Sequence, residues 1–359
     1  MGSVGLDIRG EWAAGRQLVL YGAGGVGQTL ARRMAACGIG ISAFLDAGAA
    51  PGEIRADVPV FTLADWVKSE PVDGCDVLVS IHNPALDVAP IIAALRQAGF
   101  ARVLTMIDYV NLFPEDADER DWLVPSAFYD DKQPHIDATR ALLSDELSRT
   151  WFDAVMRLRL HGDYGALPEP HPADQYVPAD LPRWAEPLRF IDCGAFDGDT
   201  ISLMQQHGYD VAAVAAFEPD ASNYAKLTAR FSSLDAIFLP CGAAASAGVV
   251  RFDAGLGTSS RIGELGNTMI QCVSIDQAVP SFVPTLIKMD IEGAEPDALR
   301  GAEATLRRNR PGLAVALYHK PEHLWEIPLW LAGLGLGYRM YLRGHLHSGY
   351  ELILYCRAD

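Results

Sequence analysis

Phe190-Ile-Asp-Cys-Gly-Ala-Phe-Asp-Gly-Asp-Thr200 decides how the second half of this chain folds. The apolar run from Leu188 reads as a strand that closes on Asp192. Gly194 and Gly198 then make a turn, and a helix begins near Asp199. A second apolar strand, Val211 to Phe217, follows that helix and ends on Glu218. Strand, turn, helix and strand in this order build a parallel sheet with helices on its faces, and ligands bind such sheets beyond the carboxyl ends of the strands.

The same grammar occurs once before. Leu18-Val-Leu-Tyr-Gly22 leads into Gly22-Ala-Gly24-Gly-Val-Gly27, a helix through Arg33, and a second strand, Ile41 to Asp46. Gly22, Gly24 and Gly27 fit the G-x-G-x-x-G spacing, which permits close approach of a pyrophosphate to a helix N-terminus, and Asp46 stands where a ribose-binding carboxylate would. Two readings stay open here: a bound dinucleotide or nucleotide sugar, or a glycine turn kept for helix packing. The expected fold is therefore α/β with two doubly wound domains. Residues 1–120 form a Rossmann-like N-terminal domain, 121–187 a helical and Pro-rich connection, and 188–359 the second domain. One or two helices are expected near 136–160, where Leu142, Leu143, Leu147, Trp151, Phe152 and Val155 recur at helical spacing. Pro168 to Pro187 excludes regular helix or central strand. In the second domain strands are expected at 188–192, 211–217, 236–240, 249–253, 270–275, 285–289 and 313–318, with a closing antiparallel pair at 337–342 and 350–356.

The 359 residues are half hydrophobic and carry a formal net charge of −17, enough core for two domains and too little positive charge for a phosphate-backbone partner. Six scattered cysteines form no Cys-x-x-Cys pair and read as reduced thiols. No signal peptide and no apolar run of roughly 18 residues is present. The expectation is a cytoplasmic protein with no nucleic-acid or membrane partner, a small-molecule ligand, and room for homo-oligomerisation.

Leu286-Ile-Lys-Met-Asp290-Ile-Glu-Gly-Ala-Glu295 crowds Lys288, Asp290, Glu292 and Glu295 onto one strand end. Glu295 reads either as a pocket group or, slightly preferred, as an acid favoured by a helix N-terminus. The next strand ends on Tyr318-His319-Lys320, and a neutral imidazole there could serve as a general base. Asp197 and Asp199 read as helix caps. His345 and His347 read as substrate contacts or, equally, as solvated loop residues.

These pieces together resemble the FkbM family of methyltransferases. Beside the opening stretch, the resemblance lies in Ala216-Phe-Glu-Pro219, Gly257-Thr-Ser-Ser260, Val273-Ser-Ile-Asp276, Ile287-Lys-Met-Asp-Ile-Glu-Gly-Ala-Glu295 and Tyr318-His-Lys-Pro-Glu-His-Leu-Trp-Glu-Ile-Pro328. Leu143-Ser-Asp-Glu-Leu-Ser148 and Asp174-Gln-Tyr176 look like the family's lead-in, so the likeness spans roughly residues 140 to 359. It implies a class I methyltransferase fold, S-adenosylmethionine as donor, and O-methylation of a hydroxyl on a sugar-containing or natural-product acceptor. It implies that Asp192, Gly194, Ala195 and Gly198 form the cofactor loop, that Glu218 holds the ribose and that Asp290 lies beside the methyl group. Cys241-Gly242-Ala243 stands where many class I enzymes place an adenine-binding acid, which leaves Gly242 and backbone groups for that contact. His319 is expected as base, with Asp290 or Lys288 orienting the acceptor. A divalent cation on Asp290, Glu292 and Glu295 is the open alternative. A non-catalytic nucleotide-sugar or cofactor binding protein with a degenerate methyltransferase domain is the competing reading. A nicotinamide oxidoreductase finds no catalytic constellation in residues 60 to 180.

Overall fold

The computed structural model describes residues 7–117, 122–253, 261–262 and 268–358. Gly257 to Ser260 lies outside them. The N-terminal domain is built on strands β1 (Leu18–Tyr21), β2 (Ala43–Leu45), β3 (Ile54–Arg55), β4 (Val58–Phe61), β5 (Asp76–Val79) and β6 (Arg102–Leu104), in the order β3-β4-β2-β1-β5-β6. All pairings are parallel except β3 with β4. The central strands are apolar on both faces because helices cover both, and Leu18, Leu20, Phe44, Val77 and Leu78 are fully buried.

The second domain contains β7 (Leu188–Cys193), β8 (Val211–Phe217), β9 (Ala236–Leu239), β10 (Gly242–Ala243), β11 (Gly248–Asp253), β12 (Arg261–Ile262), β13 (Thr268–Val273), β14 (Leu286–Met289), β15 (Gly312–Ala316), β16 (Arg339–Gly344) and β17 (Leu352–Arg357). Seven of them form the main sheet, in the order β16-β17-β15-β14-β7-β8-β9. The expected closing antiparallel pair is present, and β17 is inserted between β15 and β16, antiparallel to both. The strands expected at 249–253 and 270–275 do not join this sheet. They form a separate four-stranded sheet, β10-β13-β11-β12. Val249 and Met269 remain exposed on it, so it covers only a small core of Ile270 and Cys272.

The connecting region forms the helices Gln133–Leu142 and Glu146–His161. Asp145 caps the second through Ser148 N (2.8 Å). That helix serves both cores: Trp151, Phe152 and Val155 pack with the second domain, and Leu158 with the first. Gly344 leaves the space Trp151 fills, since a Cβ there would meet the indole at 2.3 Å. Buried Arg343 ties β16 to Asp145 (2.7 Å) and Asp180 (2.5 Å), fixing the Pro-rich connection against the sheet. Tyr355 of β17 accepts the backbone N–H of Tyr176 (2.9 Å), and the Trp184 indole donates to the Tyr176 carbonyl (2.7 Å). These contacts deliver Tyr176 to the carboxyl edge of β14. Among the described residues no helix is long and apolar enough to cross a membrane.

Candidate active site

β7, β14, β15 and β8 end side by side, and their last residues make the site. After β7 the chain turns back at Gly194, whose φ is +78°. A Cβ there would lie 2.1 Å from the Asp290 carbonyl oxygen, so no side chain fits between the ends of β7 and β14. Gly198, at φ +84°, meets Phe231 in the same way. Gly194 N and Ala195 N donate to the Phe217 carbonyl (3.0 and 3.1 Å), which ties the turn to the end of β8.

Lys288 of β14 is buried and its ammonium is bonded to this turn. Its Nζ lies 3.2 Å from Asp192 Oδ1 and donates to the Gly194 carbonyl at 2.7 Å. Burial opposes the ammonium charge, but the Asp192 and Asp290 carboxylates outweigh it and hold Lys288 protonated. Burial likewise pushes the Asp192 carboxyl up to about 6, with the Lys288 charge pulling against it. Lys288 is thus bonded to the glycine turn, with Nζ on the Gly194 carbonyl and beside Asp192. Asp197 and Asp199 do not cap the helix Asp199–Gln206. Gly198 occupies the cap and makes no side-chain bond.

Glu218 reaches from the end of β8 over the turn. Oε2 accepts Phe196 N and Oε1 accepts Asp220 N, both at 2.8 Å. Phe196 takes a left-handed φ of +48° to offer that N–H. A carboxylate has about four acceptor positions, so roughly two remain for the vicinal hydroxyls of a ribose. Burial raises Glu218 to about 7 despite the two N–H groups that favour its charge. Gly242 lies in β10 paired to Cys272, and a Cβ there would press on Cys272 Sγ at 3.0 Å.

Around Asp290 the structure gathers residues from four separate segments. Tyr176 Oη donates to Asp290 Oδ2 (2.6 Å) and Tyr318 Oη lies 3.2 Å from Oδ1. Tyr318 Oη also lies 3.0 Å from Glu351 Oε1, whose other oxygen accepts Gln175 Nε2 (2.6 Å). Tyr318 has one proton for two carboxylates. Burial, then the Asp290 charge, raises Glu351 to about 7, so this carboxyl is poised to carry a proton near neutrality. Sequence reading missed Glu351. Its one signal was an isolated acid at the start of an apolar strand. Tyr176, Glu292 and Glu351 all hold positive φ (+64°, +56° and +48°), the kind of strain that collects at functional sites.

His319 does not fit the neutral base expected of it. Nδ1 bonds Glu295 Oε1 at 2.9 Å, and Nε2 faces Asp290 Oδ1 (3.4 Å) and Glu292 Oε2 (3.7 Å). Burial works against its charge, but Glu295, Asp290 and Glu292 hold its pKa up at about 10. Glu295 is fully buried at the first position of the helix Glu295–Arg300 and does more than answer its dipole. It accepts Ile291 N (2.8 Å) and lies between His319 and His323, 3.4 Å from the latter. His345 is structural, with Nδ1 on the His171 carbonyl (2.7 Å) and Nε2 on Tyr355 Oη (2.8 Å). His347 uses its backbone N–H to hold Pro84 O (3.0 Å) across the domain boundary.

In the N-terminal domain Gly22, at φ +111°, and Gly27 pack the first turn; a Cβ at Gly27 would lie 2.0 Å from Gly22 O. Asp46 accepts Ala23 N (3.0 Å) and Gly48 N (2.9 Å), while Gly24 faces open space.

A seven-stranded sheet with an inserted antiparallel strand, a glycine turn after its first strand and a carboxylate after its second is the class I methyltransferase fold. Residues 192–340 match the family model of the methyltransferase FkbM domain. No curated protein matches the chain. Among solved structures, methyltransferase FkbM from Methylobacillus flagellatus KT superposes with a TM-score of 0.79 at 22% identity, covering 98% of this chain and 93% of that one. At that identity the likeness is one of fold, and it extends through the N-terminal domain.

Proposed function

We propose that this methyltransferase uses S-adenosylmethionine to methylate a hydroxyl oxygen on a small polyhydroxylated acceptor, a sugar or a sugar-bearing natural product. The observation that carries the reading is the pairing of two half-sites at one sheet edge. On one side lie the Gly194 turn and Glu218, with acceptor capacity left for two hydroxyls. On the other lies a cluster of carboxylates and tyrosines centred on Asp290. When bound, the donor supplies a methyl group already activated on a sulfonium. Glu218 would fix the ribose, Gly194 would let the donor approach the backbone, and Asp290 with Tyr176 would orient the acceptor hydroxyl. The proton leaves that hydroxyl for Tyr318 Oη as Tyr318 passes its own to Glu351. The oxygen–methyl bond would form as the methyl–sulfur bond breaks, with the electron pair left on sulfur.

Isothermal calorimetry with S-adenosylmethionine, repeated on Glu218→Ala, tests the donor half. A panel of hydroxylated glycosides scored by S-adenosylhomocysteine release tests the acceptor half. Wild-type protein that binds no donor would sink the reading.

A further inference from the structure

His319 Nε2 is the odd atom of the site. The residue is 7% exposed, and among the described residues Nε2 makes no hydrogen bond. It points between Asp290 Oδ1 and Glu292 Oε2, at 3.4 and 3.7 Å. A proton on Nε2 would draw a carboxylate to about 2.7–2.9 Å, the length of a charge-assisted bond. The observed gaps are too long for that. They approach the ~3.0–3.4 Å that separates neighbouring ligands around an ion with bonds of about 2.1 Å. Behind the ring, Glu295 takes Nδ1 at 2.9 Å, and Glu295 is itself fixed by Ile291 N. A carboxylate behind a histidine is the arrangement that presents the far nitrogen to a metal. Glu292 is brought round by its left-handed backbone, a conformation a non-glycine residue adopts only at a cost.

We propose that His319 Nε2, Asp290 and Glu292 form a divalent-cation site, with Glu295 as the support of the imidazole and not as a ligand. Sequence spacing alone offers Asp290, Glu292 and Glu295. Asp290, Glu295 and His319 offer ligand atoms within 4.8 Å of one another, but Glu295 Oε1 already takes His319 Nδ1 and Ile291 N, and its Oε2 lies 3.4 Å from His323 Nδ1. One imidazole and two carboxylates suit Mn²⁺ or a similar divalent ion. The cation replaces the proton on His319. Bound there, it faces the space beside Tyr318, where it would hold the acceptor oxygen and stabilise the alkoxide as the Tyr318–Glu351 pair takes the proton. The inference deepens the methyltransferase reading and rests on it for the cation's use, though not for its binding.

The test uses the full chain, stripped with EDTA and titrated with Mn²⁺ alone, followed by electron paramagnetic resonance. One site per chain is expected, with nitrogen coupling from an imidazole in the pulsed spectrum. Glu292→Gln should weaken binding at least tenfold, and His319→Gln should abolish the nitrogen coupling. The Glu292 side chain is partly exposed, and circular dichroism checks that both variants keep the fold. Absence of a stoichiometric Mn²⁺ site in wild type, or binding untouched by Glu292→Gln, would overturn the proposal. Calorimetry with S-adenosylmethionine on the same stripped protein separates the two claims. Donor binding without Mn²⁺ binding removes the cation alone. Mn²⁺ binding without donor binding removes the function and leaves the site.

Discussion

Two glycines with nearly the same backbone separate the demands of conformation from those of space. Gly194 and Gly208 have φ of +78° and +72°. A Cβ on Gly208 meets nothing within 4 Å, whereas one on Gly194 lies 2.1 Å from the Asp290 carbonyl oxygen, more than an ångström inside ordinary contact. Gly208→Ala should therefore cost only the left-handed term, about 1–2 kcal/mol. Gly194→Ala carries the same term and must also push apart the ends of β7 and β14, for a total of about 3–4 kcal/mol. At roughly 2–4 °C per kcal/mol for a domain of this size, the C-terminal unfolding transition should fall by a few degrees in the first variant and about 10 °C in the second. Differential scanning calorimetry reads both. Because the displaced atom belongs to Asp290, Gly194→Ala should also lower kcat by about a hundredfold, as ångström misplacements do. Equal melting losses in the two variants, or full turnover in Gly194→Ala, would refute the claim that close approach of the strand ends builds the site.

Three further outcomes follow from the same geometry. Lys288→Met strands a fully buried Asp192 without its partner and should destabilise the protein by about 3–5 kcal/mol; adding Asp192→Asn should restore most of that in chemical denaturation. Glu218 ionises at about 7 in the free protein, above its unfolded value, so its contribution to stability is present in acid and lost as pH rises through 7. Donor binding needs the ionised form, so affinity should rise between pH 6 and 8 in calorimetry, with proton release at the lower end, and Glu218→Gln should flatten that profile. Glu351→Gln should cut kcat by about 10²–10⁴ while leaving donor affinity unchanged, as measured by steady-state kinetics beside calorimetry.

How much of this could be read from sequence depended on how local each feature is. The strands, the turn at Gly194 and the carboxylate at Glu218 follow one another within thirty residues, so alternation and punctuation display them. Glu351 does not work that way. It enters the site because β17 inserts beside β15, with Leu317 N on the Leu352 carbonyl (2.9 Å). Nothing in the residues around Glu351 says which strand its neighbours will pair with. The small sheet was hidden for a related reason. β11 and β13 look like any strands of a doubly wound domain, and only their exposed Val249 and Met269 show that they never enter its core. The charge state of His319 was illegible too. An imidazole looks neutral by default, and Glu295, 24 residues earlier, raises its pKa only once the fold sets it 2.9 Å from His319 Nδ1.

The two domains answer the same backbone problem with the same device, which changes the meaning of an acid after the second strand. Asp46 holds Ala23 N and Gly48 N, while Glu218 holds Phe196 N and Asp220 N. In each case one carboxylate staples the glycine turn to the turn after the second strand, so the acid has a structural duty whether or not a ribose arrives. Its presence therefore does not by itself separate a binding loop from a packing one. What separates the domains is the company at the strand ends. Beyond β14 and β15 lie Asp290, Glu292, Tyr318, His319 and Glu351, held by strained backbone and by one another. Beyond β5 the corresponding edge gives its Pro84 carbonyl and the His82 ring to the hairpin between β16 and β17, through His347 N and Tyr350 Oη. That hairpin carries Glu351. Two contacts thus hold the loop that carries Glu351 to the carboxyl edge of the N-terminal sheet, through His347 N on Pro84 O and Tyr350 Oη on the His82 ring.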